Sequence, residues 1–483
     1  MFDLMEKAVE KGLLLGATYI DIRVVKNASE EIKIKNSAVE EATIKTDSGF
    51  GVRVLKNGAW GFHSSNKIDK HTLDQVVETA VKIAEASATR SKKPVKLAPV
   101  KTIKDKWRTP WIKDPFDVPF KDKLELFLEA DETIREQSDY VKVSMVSYEA
   151  RKIHKWFVSS EGSKIEAEIV FCGVGVSALA TKNGDVQRRS LPTSFGGNYV
   201  KRGWEYVKSL NLVELAERVG KEATMLLDAK SCPSGKTTLI LDSSQLALQI
   251  HESCGHPSEA DRVLGTEASY AGTSFLTPDK LGKLKYGSEI VNIVMDPSPE
   301  KYPEALGSYK YDDEGVPVKR TYIVKEGVFT GYQLSRETAV ELGFEESNGA
   351  MRADNWNRIP LIRMSLISLE PGDWKSEEII EDTKDGIYME TNRSWSIDDK
   401  RLNFQFGCEL AWKIEKGEKK ELLKNPVYQG ITPEFWGNCD AIGKDFFIWG
   451  IPNCGKGEPQ QIMWVSHGAS TARFRNVMVF SGR

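Results

Sequence analysis

One short stretch constrains the fold and the chemistry of this chain more than any other. It begins with the apolar run 238–241 (Thr-Leu-Ile-Leu), which is typical of a buried strand. Asp242 follows, with a glutamine three residues later, and this pattern marks the start of a helix. Leu246, Ile250 and Cys254 then recur at every fourth position, as on one face of a helix. The sequence therefore predicts a short helix that emerges from a buried strand.

This helix carries two of the six histidines of the chain, His251 and His256, with Glu252 beside the first. Imidazole nitrogens are good zinc ligands, and an adjacent glutamate can take a proton from water on the metal. In a regular helix, positions i and i+5 lie about 140° apart around the axis and about 7.5 Å apart along it. Both rings can therefore meet one ion only if the helix breaks at Gly255 and Pro257, or forms a π-helical turn. The alternative is two unrelated histidines near a helix end.

A catalytic zinc site needs a third protein ligand and one position left open for water. Cys454 is the best candidate, because it lies in a turn-rich stretch, 449–460, that we expect to be a loop with the cysteine at its apex. Lys456 and the flanking glycines would favour a thiolate there. Cys254 is the competing candidate, since it lies three residues from His251. Its place on the apolar helix face favours a buried core cysteine instead.

The His-Glu-x-x-x-His motif at 251–256 and the Cys-Gly-Lys-Gly at 454–457 together resemble those of the TldD/PmbA family of metallopeptidases. Further stretches agree with this resemblance, namely Gly-Ser-Tyr at 307–309, Asp-Asp-Glu-Gly-Val-Pro at 312–317 and Arg-Met at 363–364. The similarity extends over nearly the whole chain and is strongest in its second half. The TldE/PmbA-type branch of the family usually lacks the histidine motif, so its presence here places the chain on the TldD side.

The resemblance implies a site, a substrate class and a partner. In that family two histidines and a cysteine bind zinc and the motif glutamate is the catalytic base; the matching residues here are His251, His256, Cys454 and Glu252. The resemblance also implies hydrolysis of short or unfolded peptides, which bind as an extended strand along a sheet edge inside a dimer. The partner would be a second copy of the chain, or a TldE-type chain without the motif.

Two other functions stay open at this point. One is a non-catalytic metal-binding or scaffold subunit of a heteromeric complex, since a structural zinc also takes histidine and cysteine ligands but closes its fourth position. Glu252 favours catalysis over this alternative, because a structural zinc needs no base. The other is a thiol-dependent enzyme with Cys454 as its nucleophile, which would leave Glu252 without a role.

Two further polar features receive structural interpretations. His467 is a possible fourth ligand or transition-state donor, although a lone histidine near a strand end is more often structural or on the surface. The acidic run 312–314 (Asp-Asp-Glu) is a possible site for a hard cation, but we expect it to be a solvated turn between strands.

The overall composition is that of an ordinary globular protein, with 483 residues, 40% hydrophobic and 28% charged. The formal net charge of −3 does not indicate a nucleic-acid-binding surface. The six cysteines show no disulfide spacing, and the first residues include acids where a signal peptide requires basic residues. The apolar run 169–180 is too short to cross a bilayer and predicts a buried strand. We therefore expect a cytoplasmic protein without a membrane segment.

The pattern of helices and strands predicts an α+β protein with more than one core, since single cores stop growing at about 250–300 residues. In the N-terminal half, a helix–β-meander–helix unit appears twice, at 1–90 and 120–228, joined by a linker at 91–119. Each unit contains a Lys-Asn-Gly hairpin signal, so we expect a duplication; the alternative is two unrelated meanders that share a turn. Residues 229–483 predict a large, mostly antiparallel β-sheet or barrel-like domain that carries the metal helix.

Overall fold

A computed structural model describes residues 1–270 and 272–482. The first unit of the N-terminal half contains α1 (Phe2–Leu14), β1 (Tyr19–Lys35), β2 (Ala38–Lys56), β3 (Ala59–Ser65) and α2 (Lys70–Ala88). The following segment and the second unit contain β4 (Lys104–Arg108), α3 (Phe120–Glu136), β5 (Val141–Ser159), β6 (Lys164–Lys182), β7 (Asp185–Leu191), β8 (Asn198–Val200), α4 (Trp204–Ser209) and α5 (Leu212–Asp228). The helix–meander–helix pattern therefore occurs twice, as predicted.

The strands of these units are longer than the sequence pattern indicates. Separate strands are predicted at 19–25 and 31–35, but β1 is one strand of 17 residues. The polar residues between the two predicted strands do not form a turn. Their backbone groups pair with the neighbouring strands, and a side chain of helix α3 provides a hydrogen-bond partner. Glu30, for example, is buried and accepts a hydrogen bond from the ammonium group of Lys123 on α3. A local alternation rule could not anticipate this partner, which lies 93 positions away.

The two units share a single sheet, with strand order β3-β2-β1-β5-β6-β4 and with β7 and β8 also paired to β6. Alternate residues of a strand point to opposite faces. On β1, Ile20, Ile22 and Ile32 point toward the helices, where they join two apolar cores. Arg23 and Val25 point to the other face, which packs against the C-terminal half. The first half of the chain is thus a helix-backed sheet whose free face receives the second half.

The predicted domain boundaries at residues 90, 119 and 228 stay predictions, as does the internal duplication. The segment 91–119 contains β4, which pairs in parallel with β6 and so forms part of the shared sheet. Ala98 in the same segment is buried and exchanges hydrogen bonds with Arg336 of the second half.

The C-terminal half is rich in strands. Its elements are β9 (Lys230–Ser231), β10 (Gly235–Leu241), α6 (Ser243–Ile250), α7 (Ala260–Val263), β11 (Ile293–Met295), β12 (Thr321–Lys325), β13 (Val328–Phe329), α8 (Arg336–Glu341), β14 (Met351–Arg352), β15 (Leu361–Ile362), β16 (Leu366–Leu369), α9 (Ser376–Glu381), β17 (Asp385–Ile397), β18 (Asn403–Glu415), β19 (Glu418–Lys424), β20 (Pro426–Ile431), α10 (Thr432–Gly437), β21 (Cys439–Ile442), β22 (Phe447–Lys456), β23 (Gln461–Ala469) and β24 (Ala472–Ser481).

Two sheets of this half enclose the helix that carries the histidines. One sheet runs β17-β10-β24-β20-β18, and because β18 also pairs with β17, these strands close into a barrel. The other sheet has the order β13-β12-β11-β16-β23-β22. Helix α6 packs against β17 of the barrel and β23 of the second sheet. The α+β class and the barrel-like C-terminal domain are therefore confirmed. Within the described residues, no helix is both long and apolar enough to cross a membrane.

Candidate metal centre

The predicted strand and helix around the histidines are present. Strand β10 ends at Leu241, and Asp242 caps α6 by accepting hydrogen bonds from the backbone N–H groups of Ser244 and Gln245. Every residue of α6 is buried. Strand β10 and the Asp242 cap therefore fix the direction of α6, and with it the position of His251 and the residues after it.

The helix does not continue regularly past Ile250. Residues His251–Gly255 form a π-helical turn, and a short 3₁₀ turn with Pro257 in its first positions follows. The π-helical turn was one of the two solutions that the five-residue spacing required. It places the rings of His251 and His256 on the same side, with centroids 4.8 Å apart. Gly255 is needed here because a Cβ atom at this position would lie 2.0 Å from the sulfur of Met364.

A third histidine fixes the orientation of the His251 ring. His467 Nδ1 lies 3.1 Å from the carbonyl oxygen of Ile367, which can only accept, so Nδ1 carries the proton. His467 Nε2 is then an acceptor, and His251 Nδ1, 2.8 Å away, donates to it. Burial lowers the pKa of both rings, so the neutral forms dominate at neutral pH. This chain of hydrogen bonds leaves His251 Nε2 unprotonated and free to bind a metal.

His256 is oriented in the same way by a carboxylate. Its Nδ1 lies 3.0 Å from Glu259 Oε2 and donates to it, which leaves Nε2 as the free donor atom. Burial lowers the pKa of His256 well below its ordinary value. Both motif histidines therefore present unprotonated Nε2 atoms.

Cys454 completes the cluster. It does not lie at the apex of a loop, as the turn-rich sequence predicts, but on β22, opposite Met463 of β23 and just after a bulge. Its Sγ is 3.8 Å from His256 Nε2. Burial acts to raise the pKa of this thiol, but the Arg363 guanidinium and His256 outweigh that effect, so the pKa is lowered. The cation that favours the thiolate is thus Arg363.

Lys456 does not act on the Cys454 thiol, as the sequence suggested, but forms ion pairs with buried carboxylates. Its fully buried ammonium group donates to Asp261 Oδ1 at 2.7 Å and to the Ile362 carbonyl oxygen at 2.8 Å, and lies 3.4 Å from Glu259. Because Glu259 in turn holds His256, Lys456 ties the cysteine strand to the segment that follows the histidines.

Cys254 is excluded from the cluster by its surroundings. It belongs to the apolar core and contacts the Tyr286 hydroxyl at 3.4 Å. Burial raises the pKa of its thiol to about 12. It is therefore a buried core cysteine, which was the favoured of its two interpretations.

The three donor atoms fit a tetrahedral zinc ion. The ligand atoms of His251, His256 and Cys454 all lie within 4.8 Å of one another. Zinc bonds of about 2.0–2.3 Å at tetrahedral angles require ligand atoms about 3.5 Å apart. Small movements of the three side chains would therefore bring their ligand atoms to these distances. Two neutral imidazoles and a thiolate are a donor set that zinc prefers. The other close group among the described residues, His154, Glu166 and Glu168, has Lys106 on both of its carboxylates and reads as an ion-pair network.

Glu252 lies in the π-helical turn, and sequence reasoning missed its partner. The guanidinium group of Arg401 donates through Nη1 to Glu252 Oε2. Arg401 has a φ of +64° in the tight turn between β17 and β18, so a barrel hairpin delivers it to the site. His251, Glu252, His256 and Cys454 are each at most 6% exposed, so the cluster is largely buried. No local sequence signal links two residues 149 positions apart.

The acidic run 312–314 is not solvated, contrary to the prediction. All three side chains are buried. Glu314 accepts from Arg53 of β2 at 3.0 Å, and Asp313 accepts from Lys155 of β5 at 2.6 Å. The run therefore locks the C-terminal half to the N-terminal sheet, because Lys155 and Arg53 from the other half of the chain pair with Asp313 and Glu314.

Comparison with known proteins assigns this chain to a family of metallopeptidases. Three consecutive family profiles match the chain: PmbA/TldA metallopeptidase domain 1 at residues 20–84, the central domain at 113–227 and the C-terminal domain at 234–481. The chain therefore belongs to the TldD/PmbA family, as the motifs predicted.

Individual relatives agree. The chain is 36% identical over 448 residues to a metalloprotease of Methanocaldococcus jannaschii, covering 93% of this chain and 94% of the relative. It is 25% identical over 446 residues to a zinc metalloprotease TldD homolog of Saccharolobus solfataricus, covering 92% of the relative. The solved structure of TldE from Thermococcus kodakarensis has the same fold, with a TM-score of 0.76 over 99% of this chain and 17% identity.

Proposed function

We propose that this protein is a zinc-dependent peptidase in which His251, His256 and Cys454 hold the metal and Glu252 is the catalytic base. The observation that carries the proposal is the convergence of two unprotonated Nε2 atoms and one sulfur beside a carboxylate. When bound, zinc would polarise the scissile carbonyl group and lower the pKa of the attacking water.

The protein side of the reaction follows from the contacts of Glu252. Arg401 holds Oε2, so Oε1 is the oxygen that is free to accept the proton of the attacking water and pass it to the leaving amine. Arg401 is thus a positioning residue for the base. The lowered pKa of Cys454 keeps its sulfur ionised as a ligand.

We further propose that the substrates are short or unfolded peptides bound as an extended strand. The six-strand order places β22, which carries Cys454, at the end of its sheet, where it pairs with β23 on one side. Within the described residues the other edge of β22 has no ladder partner. The Gly450 N–H on β22 donates to Asn198 Oδ1 of β8, and we propose that a peptide pairs with the remaining N–H and C=O groups of this edge. Main-chain pairing of this kind gives little side-chain specificity.

The partner we propose is a second copy of this chain or a TldE-type chain. The shared fold with TldE of Thermococcus kodakarensis supports the second option. We expect a cytoplasmic setting, with which the free state of all six cysteines is consistent.

A non-catalytic, metal-holding subunit is the second candidate. The burial of all three donor residues and the engagement of Glu252 by Arg401 favour it, because a structural site needs neither a free base nor an open position. A thiol-dependent enzyme finds support only in the distance of 3.8 Å between Cys454 and His256.

One comparison separates the three functions. Cleavage of an unstructured peptide and bound zinc are measured for the wild type, Glu252→Gln and a chelated sample. The proposal predicts full zinc content but no cleavage in Glu252→Gln, and no cleavage after chelation. Undiminished cleavage by Glu252→Gln refutes Glu252 as the catalytic base. Cleavage that survives chelation supports the thiol-dependent enzyme. Bound zinc without any cleavage by the wild type supports the non-catalytic, metal-holding subunit.

A further inference from the structure

A small cavity between the N-terminal sheet and the C-terminal half carries positive charge that the protein does not balance. Its volume is about 50 Å³, which exceeds the space that a single water molecule needs. Residues of β1 and β5 line one side, and the segments 309–313, 352–355 and 463–464 line the other. The cavity therefore lies on the face where the two halves of the chain meet.

Lys201 is the first basic group of the cavity that lacks a counterion. It follows β8, lines the cavity and is only 3% exposed. Its ammonium group donates to the carbonyl oxygen of Ser308. Among the described residues, no carboxylate lies within ion-pair distance of it. A buried ammonium group with only a neutral acceptor is unfavourable.

Arg352 is the second basic group of the cavity that lacks a counterion. It lines the same cavity and is 8% exposed. Its Nη1 donates to the carbonyl oxygens of Trp464 at 2.7 Å and Met364 at 3.1 Å. These bonds leave its other N–H groups without acceptors in the part of the chain that the structure describes. A guanidinium group is well suited to bind an oxyanion through two parallel hydrogen bonds.

Among the described residues, none of the cavity carboxylates forms an ion pair with Lys201 or Arg352. Asp313 pairs with Lys155 at 2.6 Å and Arg23 at 3.6 Å. Asp312 accepts three backbone N–H groups, and burial raises its pKa. Asp354 Oδ2 accepts a backbone N–H group, whereas its buried Oδ1 has no hydrogen-bond partner among the described residues, and burial raises its pKa. The lining thus keeps two basic groups without a counterion, Lys201 and Arg352.

We propose that this cavity is a binding site for one small oxyanion of the carboxylate type, held between the Lys201 ammonium group and the Arg352 guanidinium group. The size of the cavity matches such a group, and the missing counterion explains why two cations share a buried space. Without the anion, burial and then repulsion by Arg352 and Lys155 lower the pKa of Lys201 well below its ordinary value. Anion binding should therefore be accompanied by proton uptake.

The position of the cavity relates it to the metal cluster. Arg352 bonds to the carbonyl group of Trp464, and the preceding residue, Met463, pairs with Cys454 across β22 and β23. The anion could be a carboxylate of a peptide whose backbone lies near Cys454, or a free anion such as acetate or phosphate. The first source rests on the proposed peptidase function, whereas the second is independent of it.

Isothermal titration calorimetry of the full chain tests the site without any need for activity. Acetate and inorganic phosphate are titrated at constant ionic strength into the wild type, Lys201→Met, Arg352→Met and the control Lys319→Met, whose side chain is on the surface. We expect one anion per chain for the wild type and the control, with affinity at least about tenfold lower in each cavity variant. No binding by the wild type, or equal binding by the cavity variants, overturns the proposal.

A stability measurement guards against variants that fold poorly. Since an unpaired buried ammonium group destabilises the anion-free protein, Lys201→Met and Lys201→Gln should be at least as stable as the wild type without these anions and less stable than it with them. If both variants are destabilised equally in the two conditions, Lys201 is a structural residue and the proposal fails.

Peptide kinetics then identify the source of the anion. If the peptide supplies it, the KM of the wild type is lower for a peptide with a free carboxylate than for its amide, and Lys201→Met loses this difference in KM. If the anions bind but both peptides behave alike, the ligand is a free anion. A protein that cleaves no peptide refutes only the proposed function, because the calorimetric result still decides on the site.

Discussion

His467 Nε2 lies 2.8 Å from His251 Nδ1, although the two residues are 216 positions apart. This hydrogen bond sets the tautomer of the first motif histidine, and the carbonyl oxygen of Ile367 sets that of His467. His467 is therefore not a lone structural histidine. It belongs to the candidate metal centre, because its hydrogen bond orients the ring of His251, a proposed zinc ligand.

Loss of this hydrogen bond should weaken zinc binding. We expect His467→Leu to reduce zinc affinity about 10- to 100-fold, because partners that orient a metal-binding histidine have effects of this size. Competition with a chromophoric chelator measures the affinity. His71→Leu, on the exposed part of α2, is the matched control and should bind zinc like the wild type. Equal affinities of His467→Leu and wild type would show that His251 needs no support.

Arg401 should affect turnover and not metal content. In Arg401→Met, Glu252 loses its hydrogen bond to the Arg401 guanidinium group and is no longer held in place, so kcat should fall about tenfold or more while zinc stays bound. Steady-state kinetics and zinc quantification check this. The neighbouring Lys400→Met is the control, since its side chain is exposed. If both variants keep the wild-type kcat, the Glu252–Arg401 ion pair has no part in catalysis.

Lys456 should matter for stability. It is fully buried beside Asp261 and Glu259, and removal of one partner from a buried ionic cluster lowers the free energy of unfolding by about 3–5 kcal/mol. Lys456→Met should show this loss in urea unfolding, whereas Lys444→Met on the surface should not. A loss below about 1 kcal/mol would mean that the acids find other partners.

Much of the site could be predicted from sequence because its signals are local. The five-residue spacing of His251 and His256 required a break or a π-helical turn, and the helical stripe correctly assigned Cys254 to the core. Arg401 and the role of His467 could not be predicted, since both depend on contacts between distant strands. The long strand β1 and the burial of 312–314 were missed for the same reason: cations or acids from elsewhere in the chain satisfy polar residues that look solvated in isolation.

Glu409 gives a pH dependence that is separate from the metal centre. Burial raises its pKa from 4.5 to about 7, despite Arg189 at 3.5 Å and a hydrogen bond from the Ser190 N–H at 2.7 Å. A raised pKa means that the folded state takes up the proton first, so this group contributes stability below pH 4.5 that is lost as the pH rises through about 7.

Relative to Glu409→Gln, the wild type should therefore gain roughly 1–3 kcal/mol in the free energy of unfolding when the pH falls from about 8 to about 5. Denaturant unfolding at both values measures the gain. Glu345→Gln, an exposed control, should follow the wild type at both values. A difference between wild type and Glu409→Gln that stays constant with pH would contradict the raised pKa.

The central claim is that two imidazole nitrogens and the Cys454 sulfur bind one zinc ion. X-ray absorption at the zinc edge of the purified protein tests it most directly, with Cys254→Ser and Cys454→Ser as matched variants. We predict one sulfur at about 2.3 Å and two nitrogens at about 2.0–2.1 Å in the wild type and in Cys254→Ser, with the sulfur absent in Cys454→Ser. A wild-type zinc shell without sulfur, or one whose sulfur survives in Cys454→Ser, would contradict the account.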